Sequence, residues 1–141
     1  MMLQVKKLNS EAKLPERAHP HDAGLDLFIL DDVVLGKGAT VVVGTGIGLA
    51  IPEGYVGLIW DKSGLAAKHG LTCLGGVIDC GYRGEIMVTL ANLGRDAYTI
   101  TKHQKIAQLL IQQVALPELE EVVELDDTLR GENRFGSTGT H

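Results

Sequence analysis

Apolar and polar positions alternate over most of this chain, and the alternation is cut at short intervals by glycine. Between residues 86 and 91, Ile86, Val88 and Leu90 fall on one side and Met87, Thr89 and Ala91 on the other, the two-residue period of a strand. Residues 3–8 alternate more weakly, with Lys6 and Lys7 solvated. Residues 23–28 form a short strand with Asp26 between Leu25 and Leu27, and alternation assigns the carboxylate to the wet face. Residues 31–38 give a strand and then a turn at Gly36-Lys37-Gly38, and 40–52 a β region interrupted by Gly44, Gly46 and Gly48. Residues 55–60 are apolar at nearly every position, the mark of a strand buried on both faces. Further strands are expected at 97–101, at 106–114 ahead of the break at Pro117, and at 119–125, which is acid-rich.

One segment has helix character. Leu65-Ala66-Ala67-Lys68 are helix formers, Gly70 is a natural stop, and Ser63 is placed to cap. With Lys62 beside it, Ser63 marks either an anion site at a helix start or a plain Ser-capped turn. Residues 9–22 read as loop, and His19 and His21 there have no further His or Cys at zinc spacing. The G-x-G-x-G run at 44–48 lacks dinucleotide-loop spacing, and Pro52 falls where the following helix would run, so neither a Rossmann nor a P-loop reading holds.

Residues 75–93 read as a β-hairpin with chemistry at its bend. Gly81 and Gly84 supply turn conformations, and Asp79, Tyr82 and Arg83 put a carboxylate, an aromatic ring and a guanidinium within five residues. Such a bend suits a planar ligand, with backbone groups for its edge, a ring to pack on it and a base beside it. Asp, Gly and Tyr are equally the residues of an ordinary hairpin turn.

Composition narrows the classes. A chain of 141 residues, 45% hydrophobic and 22% charged, makes one domain with a genuine core, and 4% aromatics makes that core aliphatic. A net charge of −5 without a basic stripe excludes non-specific nucleic-acid binding. It leaves room for a phosphorylated small molecule, because a few cations and a divalent metal reverse the local potential. Cys73 and Cys80 form no C-x-x-C and read as reduced thiols. With no signal-peptide pattern and no apolar run of bilayer length, a cytoplasmic protein without a membrane partner is expected.

Periodicity ends at residue 126. We read 1–125 as a β-barrel body and 126–141 as a flexible C-terminal arm. Phe135 between Arg134 and Gly136 is out of place in a solvated tail. It suits a segment that closes over a ligand, with Arg130 on phosphate.

Five segments, in order and at matching separations, resemble the trimeric dUTP diphosphatase (dUTPase) family. They are Ala23-Gly24-Leu25-Asp26-Leu27; Ser63-Gly64-Leu65-Ala66; Gly76-Val77-Ile78-Asp79 with Tyr82-Arg83-Gly84; Ile106-Ala107-Gln108-Leu109; and Arg130-Gly131 with Phe135-Gly136-Ser137-Thr138-Gly139. The resemblance implies an all-β fold, a distorted jelly-roll-like barrel of the β-clip type with one short helix. It implies a homotrimer with shared active sites that hydrolyses dUTP to dUMP and pyrophosphate with Mg²⁺, keeping uracil out of DNA and supplying dUMP for dTMP synthesis. By that resemblance Asp79 orients and deprotonates the water that attacks the α-phosphorus. Backbone at Val77 and Ile78, and near Met87, reads the uracil edge, and Tyr82 packs under the deoxyribose. Lys62, Ser63, Gly64 and Gln108 serve the phosphate chain. Arg130, Phe135, Gly136 and Ser137 come from another subunit's arm to clamp the γ-phosphate and stack on uracil. Asp26 is either an outer-shell metal contact through water or a hydrogen-bonding group of the first strand.

The chain departs from the family pattern in places. Asp61-Lys62 stands for Pro-Arg, which keeps a charge and loses the guanidinium fork. Gly81 replaces a common acidic residue, Gln104-Lys105 replaces Asp-Arg, and Glu132-Asn133-Arg134 fills a spacer usually rich in glycine and serine. Two other readings compete. The related dCTP deaminases carry a catalytic glutamate on the strand after the hairpin, where this chain has Thr89 and Ala91. A non-catalytic regulatory or binding protein on the same barrel draws support from the altered second motif. Against it, Asp79, Tyr82, Gln108, Arg130 and Phe135 all stand together.

Overall fold

A computed structural model describes residues 1–136. Within them the backbone forms eleven strands and one short helix. The strands are β1 (Gln4–Lys7), β2 (Leu25–Phe28), β3 (Val33–Leu35), β4 (Thr40–Gly44), β5 (Ile47–Ala50) and β6 (Tyr55–Asp61), followed by helix α1 (Ser63–His69). Then come β7 (Leu71–Leu74), β8 (Val77–Ile78), β9 (Met87–Asn92), β10 (Tyr98–Ile100) and β11 (Lys105–Gln113). They assemble into a four-stranded sheet β2-β11-β6-β8, a three-stranded sheet β4-β9-β7, and the pairs β1-β5 and β10-β3. Every ladder is antiparallel. This is the expected all-β, jelly-roll-like β-clip architecture.

The core is aliphatic, as the shortage of aromatics requires. Leu27, Ile29, Leu35, Ile47, Ile86, Val88, Leu90, Ile100, Ile106 and Leu109 are buried and pack in one cluster. The alternation read at 86–91 holds for Ile86, Val88 and Leu90, which face this cluster while Met87 is exposed. Each such side chain removed from water contributes about 1.5–3 kcal/mol before entropy is counted.

Four expectations need correction. Residues 75–93 are not a two-stranded hairpin: β8 pairs with β6, whereas β9 pairs with β4 and β7. Gly75 (φ 67) and Gly76 (φ 102) turn the chain out of one sheet and into the other, so the bend bridges two sheets. Residues 55–60 are not buried on both faces: Gly57 and Ile59 are buried, but Trp60 is 58% exposed. Asp26 is on the inside, not the wet face, because two lysines, Lys62 after the end of β6 and Lys105 on β11, meet it there. Residues 119–125 form no strand, and Leu119, Val123 and Leu125 stand in solvent. Within one chain no neighbouring strand offers them a ladder.

Candidate active site

The segment that runs from Gly75 through β8 to β9 is built by steric fits around glycine. Gly76 presses on β6, where its carbonyl accepts the Ile59 N–H at 2.8 Å. A Cβ there would lie 2.9 Å from the Ile59 carbonyl oxygen, so only glycine fits. Downstream, the Tyr82 N–H donates to the Asp79 carbonyl at 3.1 Å. The Tyr82 hydroxyl then donates to the Glu85 carbonyl at 2.8 Å, which folds the ring over Gly84. The Arg83 guanidinium donates from Nη1 to the carbonyls of Cys80 (2.7 Å) and Tyr82 (3.0 Å). Arg83 is therefore committed to holding the turn.

Val77, Ile78, Asp79, Tyr82, Glu85 and Met87 line a cavity of about 190 Å³. Of the bend residues selected from the sequence, Arg83 and the turn glycines Gly81 and Gly84 do not border it. Glu85 was missed. Its carboxylate accepts the Gly46 N–H at 2.8 Å, fastening the bend to the β4–β5 turn. Nothing local distinguishes this glutamate from a solvated one, since its partner is 39 positions away.

A second group of side chains lies on the same four-stranded sheet. Helix α1 starts at Ser63 with Lys62 as its N-cap, and no side chain caps it. Ser63 is thus the first helical residue and not the cap, and both Ser63 and Gly64 are exposed. At the other end Gly70 takes the left-handed conformation (φ 66) expected of a helix stop. Lys62 Nζ lies 2.6 Å from Asp26 Oδ1, and Lys105 Nζ 2.9 Å from Asp26 Oδ2. Burial works against the charge on Asp26, but the hydrogen bonds from the two ammonium groups and their attraction outweigh it. Its carboxyl consequently titrates below the ordinary carboxylate range. The hydrogen bond to Asp26 likewise raises the Lys105 ammonium above its ordinary value.

Gln108 on β11 donates from Nε2 to the Asp61 carbonyl at 2.9 Å. Its other amide atom, Oε1, stands over Gly24, where a Cβ would come within 2.1 Å. Gly24 therefore makes room for the glutamine. Strand β6 connects the two groups. It pairs with β8 through Leu58–Val77 and Gly57–Ile78, and with β11 along its whole length.

The arm residues lie apart from both groups within this one chain. Arg130 Nε donates to the Asn133 carbonyl at 3.1 Å, and Phe135 is fully exposed. Gly136 has φ 79, and Ser137 lies outside the described residues. Among the described residues no cluster of three or more His, Cys, Asp or Glu is arranged to hold a metal. A Mg²⁺ ion that keeps its waters and binds substrate phosphate oxygens needs no more than one or two protein carboxylates. Among the described residues, no helix is long and apolar enough to cross a membrane. Cys73 and Cys80 are free thiols, and burial, with Asp61 beside it, pushes the Cys73 thiol up to about 12.

Comparison with known proteins agrees with this architecture. The deoxyuridine 5'-triphosphate nucleotidohydrolase of Rhodococcus erythropolis is 48% identical over 144 residues, covering 100% of this chain and 88% of the relative. That of Clostridium kluyveri is 48% identical over 142 residues, 99% of each chain. Among solved structures, the Staphylococcus bacteriophage 80alpha dUTPase with dUPNHPP superposes with a TM-score of 0.94 at 35% identity, covering 99% of both chains. A mutant dUTPase from phage phi11 of S. aureus, whose structure describes the coordination of a structural Mg(II) ion, superposes at 0.83 with 34% identity, covering 88% of this chain and 98% of that one. Residues 10–139 match the protein-family model described as dUTPase, and the chain belongs to the dUTPase family.

Proposed function

We propose that this chain hydrolyses dUTP to dUMP and pyrophosphate, with Asp79 directing the attacking water. The observation that carries the reading is the small cavity lined by Val77, Ile78, Asp79, Tyr82 and Met87, with the tyrosine ring pinned through its hydroxyl. The cavity offers backbone to the uracil edge, a fixed ring to the deoxyribose and an exposed carboxylate to water. A carboxylate is a weak base at neutral pH, so Asp79 acts mainly by orienting the nucleophile for in-line attack on the α-phosphorus. Ser63 and Gly64, exposed at the helix start, bind the phosphate chain. Gln108 contributes its amide there, and Lys62 its charge.

Bound Mg²⁺ would supply charge neutralisation on the triphosphate. Asp26 serves this region by holding Lys62 and Lys105; an outer-shell metal contact through water would compete with both lysines for its oxygens.

Residues 126–141 act as an arm on a neighbouring subunit of a homotrimer, bringing Arg130, Phe135, Gly136 and Ser137 to that subunit's nucleotide. The support is that Leu119, Val123, Leu125 and Phe135 are exposed in the single chain, apolar side chains spaced along one segment that a partner surface would cover. The reaction serves the pool of DNA precursors, in keeping with a cytoplasmic enzyme that uses neither nucleic acid nor membrane. The deaminase reading finds no carboxylate at Thr89 or Ala91.

The test is to incubate the protein with dUTP and Mg²⁺ and follow dUMP and pyrophosphate, with dCTP in parallel. Selective turnover of dUTP is expected. Absence of turnover, or equal turnover of dCTP, refutes the proposal.

A further inference from the structure

We infer that Asp61 is a positioning residue for this reaction, tying the phosphate side of the site to the base side; the inference rests on the function proposed above. Asp61 is the last residue of β6 and precedes Lys62 and Ser63. Its Oδ2 accepts the Thr72 hydroxyl at 2.7 Å and its Oδ1 accepts the Cys73 N–H at 2.6 Å. Its carbonyl accepts Gln108 Nε2 at 2.9 Å. One residue therefore bonds to the glutamine on β11, to two successive residues of β7, and by peptide linkage to the start of α1.

The position explains why these bonds matter beyond stability. Strands β6 and β7 belong to different sheets and share no ladder. Among the described side-chain hydrogen bonds, Asp61 alone joins them. Strand β7 runs directly into Gly75 and Gly76 and then into the Val77–Asp79 backbone that reads the base. Strand β6 runs directly into the residues that hold phosphate. A triphosphate nucleotide must engage both ends at once. The β6–β8 ladder and the Ile59–Gly76 bond set the middle of the distance between them, and the Asp61 bonds to β7 hold the chain entering it against the end of β6. Hydrogen bonds to a carboxylate are the strong kind, and a small displacement of aligned groups costs rate heavily. Gln108 is placed by the same residue, since its amide is anchored on the Asp61 carbonyl and its Oε1 sits in the space left by Gly24. The departure from Pro-Arg noted at positions 61 and 62 thus brings in an acceptor that proline does not have.

The experiment compares binding of dUMP with binding of the imido analogue of dUTP, in the full-length protein and three variants. The ratio of the two dissociation constants measures what the distal phosphates add. Asp61→Ala should lower that ratio about tenfold, with dUMP affinity within about twofold of the parent. The fall in kcat/KM should exceed the rise in KM for dUTP. Asp61→Asn should restore the ratio, because the amide oxygen accepts the Cys73 N–H and the amide nitrogen donates to the Thr72 oxygen. Thr72→Val removes one of the two bonds without touching the carboxylate and should lower the ratio about threefold. It decides the matter if Asp61→Ala fails to fold. An unchanged ratio in Asp61→Ala or Thr72→Val, an equal loss of both affinities, or failure of Asp61→Asn to restore it overturns the inference and leaves Asp61 a purely structural group. A parent protein that does not hydrolyse dUTP refutes the proposed function instead.

Discussion

Replacing Gly84 by Ala tests whether the geometry of the Tyr82 ring governs substrate binding. A Cβ at position 84 would lie 2.5 Å from the Tyr82 hydroxyl oxygen and 2.7 Å from the ring carbon that bears it, well inside contact distance. Gly84 is not in the left-handed region, so alanine meets no backbone strain and the effect must come from the ring. The ring has to swing off the bend, and its hydroxyl loses the Glu85 carbonyl. That bond contributes about 0.5–1.5 kcal/mol net. Because the bend is exposed and the hydroxyl then bonds water, the melting temperature should fall by only about 2–5 °C. The functional loss should be larger. A ring no longer packed on the sugar forfeits both burial and alignment, and we expect kcat/KM for dUTP to drop about 10- to 100-fold, mostly through KM. Tyr82→Phe is the control: it loses the same hydrogen bond but keeps a ring in place, and should fall by less than about fivefold. Steady-state pyrophosphate release and a thermal melt are sufficient. The reasoning fails if Gly84→Ala retains kcat/KM within twofold, or if Tyr82→Phe is as damaged as Gly84→Ala.

Asp79→Asn should reduce kcat by about 10²–10⁴-fold while the imido analogue of dUTP still binds within a few-fold, as calorimetry would show; near-parental turnover removes Asp79 from the chemistry. Truncation before Arg130 should lower kcat/KM at least about 100-fold with the melting temperature within about 3 °C, given that Arg130, Gly131 and Phe135 are exposed and, among the described residues, Arg130 and Gly131 bond only to nearby residues of the same arm; a collapse in melting temperature would show the arm to be structural. The folded Asp26 carboxyl titrates below its ordinary value, so the stability it contributes is complete above an unfolded pKa of about 3.9. That contribution disappears as pH falls through the lower folded pKa. Asp26→Asn should therefore melt about 3–8 °C lower at pH 7, and the gap should close toward pH 2–3. A gap that is constant with pH contradicts the ion-pair account.

How much of this was legible beforehand depends on whether the information was local. The helix stop at Gly70 and the buried face of Ile86, Val88 and Leu90 were readable because a single residue's conformational freedom or a two-residue period specifies them. The burial of Asp26 was not. Alternation says that a side chain lies opposite its neighbours and not which face the core takes, and the compensating lysine is 36 positions away. Residues 119–125 show the converse error. Their pattern is that of a strand, but a pattern specifies a face and never supplies the partner that a ladder needs.

The bend at 75–93 carries the same lesson into the site. As a hairpin, its two strands would have paired with each other and the chemistry would have sat at an exposed tip. With β8 delivered to β6 and β9 to β4 and β7, Asp79 and Tyr82 instead stand where two sheets are joined. The bend then inherits its geometry from both sheets. Glu85 fastens it to the β4–β5 turn, Gly76 presses it against β6, and Asp61 holds β7 behind it. Glu85 and Asp61 lie outside the motif that holds Gly76, Asp79 and Tyr82, so motif spacing singles out Asp79 and Tyr82 and is silent about most of what aims them. A site of this kind tolerates change in its motif neighbours, such as Asp61-Lys62, only if the new residues supply equivalent supports. The three hydrogen bonds that the Asp61 and Lys62 side chains make with Asp26, Thr72 and Cys73 are such supports.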